Sequence, residues 1–257
     1  MTASTYSSRI ALVTGGAQRI GRAISLALAH DGWDVAVHFR NSRAAAAETV
    51  AQIQALGRRA HAVAFDLSAV DGWDGLLDEC ERVLGPLRCL VNNASLFEAD
   101  SVPNFSLERF AAHMHVNVAA PVALARALHA RLPADAAGVV VNLLDQKLWN
   151  PNPDFFSYTL SKSTLEVANG LLARALAPKL RVVGVAPGIT LPARGQTISG
   201  FESSHRATPL GHASTPDDIA QAVVFLIHAA SITGTSLIVD GGQHLVPSAR
   251  DIMFLKS

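Results

Sequence analysis

Cysteine is nearly absent from this 257-residue chain: only Cys80 and Cys89 occur. That excludes a disulfide framework and predicts a reducing, cytoplasmic setting. Charge is also scarce, at 16% of residues, and 21 basic side chains are balanced by 21 acidic ones. With no basic excess, a nucleic-acid partner held through its phosphates is not expected. Long hydrophobic runs are missing too. The one uncharged stretch of note, Ile219–Val239, is broken by Gln221, His228, Ser231, Thr233, Gly234, Thr235 and Ser236. It reads as a helix, a turn and a strand, so no membrane partner is expected. Met1–Arg9 is rich in Ser and Thr and has no apolar centre, which argues against a secretory signal. Repeats, low-complexity tracts and linkers are not found, predicting one domain over 1–257.

What the chain does have is apolar: 49% of residues, enough at this length to bury roughly three quarters of its surface. Short β-branched runs alternate with helical patterns. The predicted strands are Ile10–Thr14, Asp34–Phe39, Arg59–Phe65, Cys89–Asn92, Gly138–Leu143, Arg181–Ala186 and Ser236–Val239. Helical windows fall at Gly21–Ala29, Ala44–Leu56, Asp74–Leu84, Leu107–Leu132, Ser157–Ala177 and Pro216–Ala229. This order predicts an α/β, doubly wound Rossmann fold with a seven-stranded, mainly parallel sheet and helices on both faces. Ligands of such sheets bind beyond the carboxyl ends of the strands. Chemistry is therefore expected after Thr14, Phe39, Phe65, Asn92, Leu143 and Ala186.

The first of these loops reads Thr14-Gly15-Gly16-Ala17-Gln18-Arg19-Ile20-Gly21 and enters a helix. Gly15 permits the tight turn, Gly21 permits close helix–sheet packing, and the helix N-terminus offers N–H groups to a pyrophosphate. After the second strand an acid would grip a ribose 2′-hydroxyl. None occurs between Val35 and Ala47; His38, Arg40, Ser42 and Arg43 stand there instead. With Arg19 they form a positive cluster suited to a 2′-phosphate, so NADPH is expected rather than NADH. Asp66 ends the third strand, placed to meet an adenine or simply to start a helix.

Tyrosine is as rare as cysteine, with only Tyr6 and Tyr158. Tyr158 is followed four residues later by Lys162, and on a helix that spacing puts both on one face. A neighbouring ammonium favours the phenolate, so the tyrosine pKa is expected to fall toward the working range. His113 and His115, two apart on a helix, make no metal pair, and no metal site is predicted.

Together, the glycine turn, Asn92-Asn93-Ala94, Asn117, the Tyr158/Lys162 pair, Pro187-Gly188 and Asp240-Gly241-Gly242 resemble the short-chain dehydrogenase/reductase family over nearly the whole chain. The resemblance implies that Tyr158 is the acid/base and that Lys162 holds the nicotinamide ribose. It implies that Asn117 anchors a proton-relay water, and it adds Ile20, Asn41, Leu67, Asn93, Ala94, Ser95, Pro187 and Gly188 to the cofactor contacts. It also implies a homotetramer, a substrate lid at about 189–212 that includes Leu191, and a tail, Arg250–Ser257, of the kind that reaches a neighbouring subunit's site in relatives.

Three departures narrow the resemblance. Arg19 replaces the central glycine of the turn, Ser95 replaces the glycine after Asn92-Asn93-Ala94, and Asp145 stands where a serine is usual, thirteen before Tyr158. All three are similar to the pteridine reductase and dihydromonapterin reductase branch. That implies reduction of a dihydropterin of the dihydromonapterin or dihydrobiopterin type, with dihydrofolate a further candidate. A pterin must be protonated at N5 as hydride reaches the neighbouring carbon, and a carboxyl beside the tyrosine can hold the ring or relay that proton. In this reading Phe97 stacks on the pterin, Ser95 bonds its edge, and Arg19 sits near the phosphates and the substrate. Two alternatives stay open: a general carbonyl or 3-oxoacyl reductase that tolerates Asp145, and a non-catalytic NADP-binding regulator.

Overall fold

The computed structural model describes residues 9–192 and 198–254; the N-terminal 1–8, part of the expected lid at 193–197 and the end of the tail at 255–257 lie outside them. Seven strands form one sheet: β1 (Ile10–Val13), β2 (Asp34–Phe39), β3 (Ala60–Ala64), β4 (Cys89–Asn92), β5 (Gly138–Leu143), β6 (Leu180–Pro187) and β7 (Ser236–Val239). Their order is β3-β2-β1-β4-β5-β6-β7, and every pairing is parallel. Parallel strands covered on both sides need apolar residues without alternation. The run Val139-Val140-Val141 supplies them, and all three are fully buried. Each such side chain contributes about 1.5–3 kcal/mol by leaving water.

The helices are α1 (Arg19–His30), α2 (Arg43–Ala55), α3 (Trp73–Leu84), α4 (Leu107–Met114), α5 (Ala120–Arg131), α6 (Phe156–Ala175), α7 (Ile198–Arg206) and α8 (Pro216–His228). Helices α1, α2 and α8 pack one face of the sheet around Ile24, Leu28, Ile53 and Val223. On the other face α3 and α5 enclose Leu77, Cys80, Leu124 and Leu128, joined by Ala173 of α6. Both cysteines are free and buried, and burial pushes the Cys80 thiol up to about 12.

Two segments differ from expectation. The single helical window at 107–132 is two helices joined by a π-helical turn, His115–Ala119. Pro121 lacks an N–H, and its ring cannot share an α-turn with the Asn117 carbonyl, so the backbone widens there. The weakly periodic stretch expected as a lid contains α7.

Polar groups also cross the core. Asn92 donates to Asn142 at 2.8 Å, Asn142 donates to Asn169 at 3.1 Å, and all three are buried. This amide chain ties β4 and β5 to the middle of α6. Because strand order reverses between β1 and β4, a crevice opens at their carboxyl ends. The loops after β1, β2, β3, β4, β5 and β6 converge on it.

Candidate active site

Thr14 organises the turn after β1. Its hydroxyl accepts from the backbone of Asn93 at 2.9 Å and of Ala94 at 3.0 Å. The Asn93 amide then donates to the Thr14 carbonyl at 2.8 Å. Gly15 sits at φ +61 in this knot, where an L side chain is disfavoured. No side chain caps the first turn of α1, so its leading N–H groups face the crevice without a partner from Gln18. Asn93 and Thr14 thus hold the turn together, a role the sequence did not reveal for Thr14.

A cavity of about 550 Å³ runs over this turn and collects Gly15, Arg19, Ile20, His38, Arg40, Asn41, Ser42, Asp66, Leu67, Asn93, Ala94 and Ser95. These are the residues expected to hold a dinucleotide, and Phe97 closes one end. An uncapped helix start, a Gly-rich turn and an arginine beyond β2 fit the phosphates of that group. Two members of the expected positive cluster behave differently. His38 is buried; Gly15 N–H donates to its Nδ1 at 3.0 Å, and its Nε2 faces the Phe65 carbonyl at 3.0 Å. That pattern requires neutral imidazole with the proton on Nε2, and burial lowers its pKa further. His38 is therefore a strut of the crevice and not one of its cations. Arg43 turns back, with its guanidinium 5.8 Å above the Phe39 ring. Asp66 accepts from the backbone and hydroxyl of Ser68, which hold its carboxyl below the usual range.

Arg19 links this cavity to the next. It starts α1 at φ +54, a conformation that costs a non-glycine residue roughly 1–2 kcal/mol. Its guanidinium donates to the Pro192 carbonyl at 3.1 Å. The adjoining cavity, about 430 Å³, gathers Asp145, Tyr158, Lys162, Pro187, Gly188 and Leu191, and shares Arg19, Ser95 and Phe97 with the first.

Helix α6 presents Tyr158 and Lys162 because its start is fixed from outside. The buried Asp100 carboxylate accepts from Ser157 N at 3.0 Å and from Ser157 Oγ at 2.5 Å. An acid at a helix N-terminus is stabilising. Tyr158 then donates its hydroxyl proton to Asp145 Oδ2 at 2.8 Å, while Asp145 Oδ1 accepts from Lys147 N at 2.8 Å. Lys162 donates to the Leu143 carbonyl at 2.6 Å, and its ammonium lies 5.8 Å from the Tyr158 ring centre. Phe97, half exposed, stacks on Phe155 with centres 4.3 Å apart and meets Tyr158 edge-on at 4.7 Å.

These contacts reverse the expected effect of Lys162 on Tyr158. Burial and the adjacent Asp145 charge push the phenol well above its ordinary value. Asp145 itself is raised, chiefly by burial and also by the Asp251 charge, against the bonds from Lys147 and Tyr158. Burial brings the Lys162 ammonium down to about 8. Tyr158 is thus held in its protonated form. In a Tyr6→Phe chain it is the sole tyrosine, and no tyrosinate absorbance should emerge below about pH 10. A transition near neutrality would overturn this assignment.

Asn117 lines neither cavity among the described residues. It accepts from Leu96 N at 2.7 Å and donates to Ser161 Oγ at 2.9 Å, bracing the β4 loop against α6 from behind. Both ends of its amide are engaged, the oxygen by Ser95 and Leu96 and the nitrogen by Leu96 and Ser161.

A family model described as enoyl-(acyl carrier protein) reductase matches residues 15–244. The chain belongs to the short-chain dehydrogenase/reductase family. It is 41% identical to the FolM alternative dihydrofolate reductase 1 of Brucella suis, solved in complex with NADP; the match covers 96% of this chain and 99% of that one, with a TM-score of 0.91. An uncharacterized oxidoreductase of Methylorubrum extorquens is 33% identical over 93% of this chain and 99% of its own length. The 3beta-hydroxysteroid dehydrogenase 1 of Eggerthella lenta is 31% identical over 92% and 94%. This chain is thus similar both to an alternative dihydrofolate reductase and to a hydroxysteroid dehydrogenase of the family.

Several residues around the site were not expected from sequence: Thr14, Asp100, Phe155 and Lys147; Asp251 falls in the expected tail but was not singled out within it. Asp100 carries no local signal for this role, since it lies 57 positions from Ser157 at the start of α6. No helix among the described residues is long and apolar enough to cross a membrane.

Proposed function

We propose that this short-chain reductase uses NADPH to reduce a dihydropterin of the dihydromonapterin or dihydrobiopterin type to the tetrahydropterin, with dihydrofolate in the same substrate class. The observation that carries the reading is the 2.8 Å hydrogen bond from Tyr158 to a half-buried Asp145, in a cavity that Phe97 also lines. Bound NADPH supplies the hydride. Tyr158 and Asp145 provide the proton that N5 takes up as the neighbouring carbon is reduced, and solvent then restores it. Phe97 offers a flat, half-exposed face to a flat heterocycle. Ser95 and Arg19, shared by both cavities, stand where the ring meets the cofactor. The similarity to an alternative dihydrofolate reductase solved with NADP supports the same class.

The test is consumption of NADPH by the purified chain in the presence of dihydropterins, dihydrofolate and simple ketones. Turnover of the dihydropterins is expected. Oxidation of NADPH with ketones alone would make this a carbonyl reductase, and no oxidation with any acceptor would favour a regulator.

Cofactor choice gives a separate measurement. Arg40 is exposed at the cavity rim beside Ser42 and Asn41, the position for a 2′-phosphate. A charge-assisted bond of about 1.5–3 kcal/mol corresponds to roughly 10- to 150-fold in affinity. Arg40→Ala should weaken NADPH by that order and leave NADH unchanged. Equal losses for both cofactors would remove Arg40 from the phosphate contact.

A further inference from the structure

The segment after β7 returns to the cavity of its own chain. Asp154 accepts from Arg250 Nε at 2.8 Å and from Asp251 N at 2.7 Å. Lys147 is buried; its ammonium donates to the Asp154 carbonyl at 2.7 Å and pairs with Asp251 Oδ2 at 3.0 Å. Phe254 lies against Phe155 with ring centres 5.7 Å apart, and Phe155 in turn backs Phe97. The clasp therefore closes on the same short segment that carries Asp145, whose Oδ1 is held by Lys147 N. Asp251, Ile252 and Met253 line the cavity beside Tyr158.

We propose that Asp251, clasped by Lys147, is a positioning residue for the Asp145–Tyr158 pair, supplied in cis by each chain's own tail. The inference rests on the reading of that pair as the proton source. The charged or titratable groups around the pair are Lys147 beside Asp145, Tyr158 and Lys162 on α6, Arg19 on α1, and Asp154, Arg250 and Asp251 in the clasp. Arg250 and Asp154 offset one another at 2.8 Å. Arg19 and Lys162 are unchanged by the variants below. That leaves Asp251 and Lys147 as an opposed couple next to the pair. The Asp251 carboxylate disfavours ionisation of both Asp145 and Tyr158, whereas the Lys147 ammonium favours it.

Opposed charges give opposed outcomes, and a merely structural clasp does not. In pH profiles of NADPH oxidation, Asp251→Asn should move the limb belonging to the pair to lower pH by roughly one unit. Lys147→Met should move it to higher pH, the double variant should return it near the parent position, and Asp251→Glu should leave it in place. Shifts of one sign for both single variants, or none, would overturn the proposal. If Lys147→Met does not fold, the contrast between Asp251→Asn and Asp251→Glu carries the same decision. Profiles taken with dihydrobiopterin and, in parallel, with an α-diketone separate the two claims. A chain that ignores dihydrobiopterin loses the pterin reading, while the signs are still read on the diketone. A second arm needs no turnover. Carbodiimide should couple Lys147 to Asp251, and in oligomers reassembled from ¹⁴N and ¹⁵N chains the coupled peptides should be all light or all heavy. Mixed pairs would overturn assignment of the tail to its own chain.

Discussion

Asp145→Ser should lower dihydropterin turnover by about 10²- to 10⁴-fold while NADPH affinity stays unchanged. The carboxylate spans two partners, Lys147 N through Oδ1 and the Tyr158 hydroxyl through Oδ2, each at 2.8 Å. A serine oxygen, one bond shorter and single, can serve one of them. Tyr158 would lose its acceptor, and the heterocycle would lose a group that burial keeps ready to hold a proton. The same change removes the charge that opposes the phenolate, so Tyr158 should ionise at lower pH. Ketone reduction should survive or improve, since a neutral donor beside the tyrosine suits an oxyanion. Stopped-flow NADPH binding and steady-state rates with both acceptors check this. Pterin kcat/KM within about threefold of the parent would remove Asp145 from the proposed chemistry.

The second large effect is on the turn after β1. Gly21→Ala should abolish tight NADPH binding and lower the melting temperature by several degrees. A Cβ at position 21 would lie 2.1 Å from the Gly15 carbonyl oxygen and 2.6 Å from the Asn93 amide nitrogen. The nearer atom is backbone, fixed between Thr14 and Asn93, so the turn or α1 has to shift. Overpacking of this kind costs about 1–3 kcal/mol, or some 2–4 °C per kcal/mol in a chain of this size. Gly170→Ala is the control. It lies within α6, and a Cβ there meets nothing within 4 Å, so about 0.5–1 kcal/mol of stabilisation is expected. Thermal unfolding with and without NADPH distinguishes the two.

The order of strands and helices was legible because each element carries its own period, and the Tyr158/Lys162 pair was legible because its spacing is local to one helix. Asp145 was singled out by the resemblance, as the residue standing where the family usually has a serine; it lies just past β5 and caps the turn Gln146–Leu148. What was not legible depends on partners far along the chain. His38 looked cationic, but its two nitrogens are engaged by Gly15 and Phe65, 23 and 27 positions away. The helical spacing of Tyr158 and Lys162 is as expected, yet the ammonium is drawn to Leu143, and the phenol answers to burial and to Asp145 instead. Asn117 sits in a π-turn created by a proline four residues on, a distortion that apolar periodicity does not register. The tail has no period at all, and its contacts with Asp154 and Lys147 span 97 and 104 positions.

The buried amide chain Asn92–Asn142–Asn169 also constrains how this sequence can change over generations. Replacing any one member with an apolar residue strands a donor or acceptor on its neighbour, at about 1–3 kcal/mol for each buried group left unpaired. Replacing all three at once removes that penalty, but the single steps toward it lead downhill in stability. Lineages of this chain are expected to inherit the trio as a block, whatever drift reshapes the loops above it.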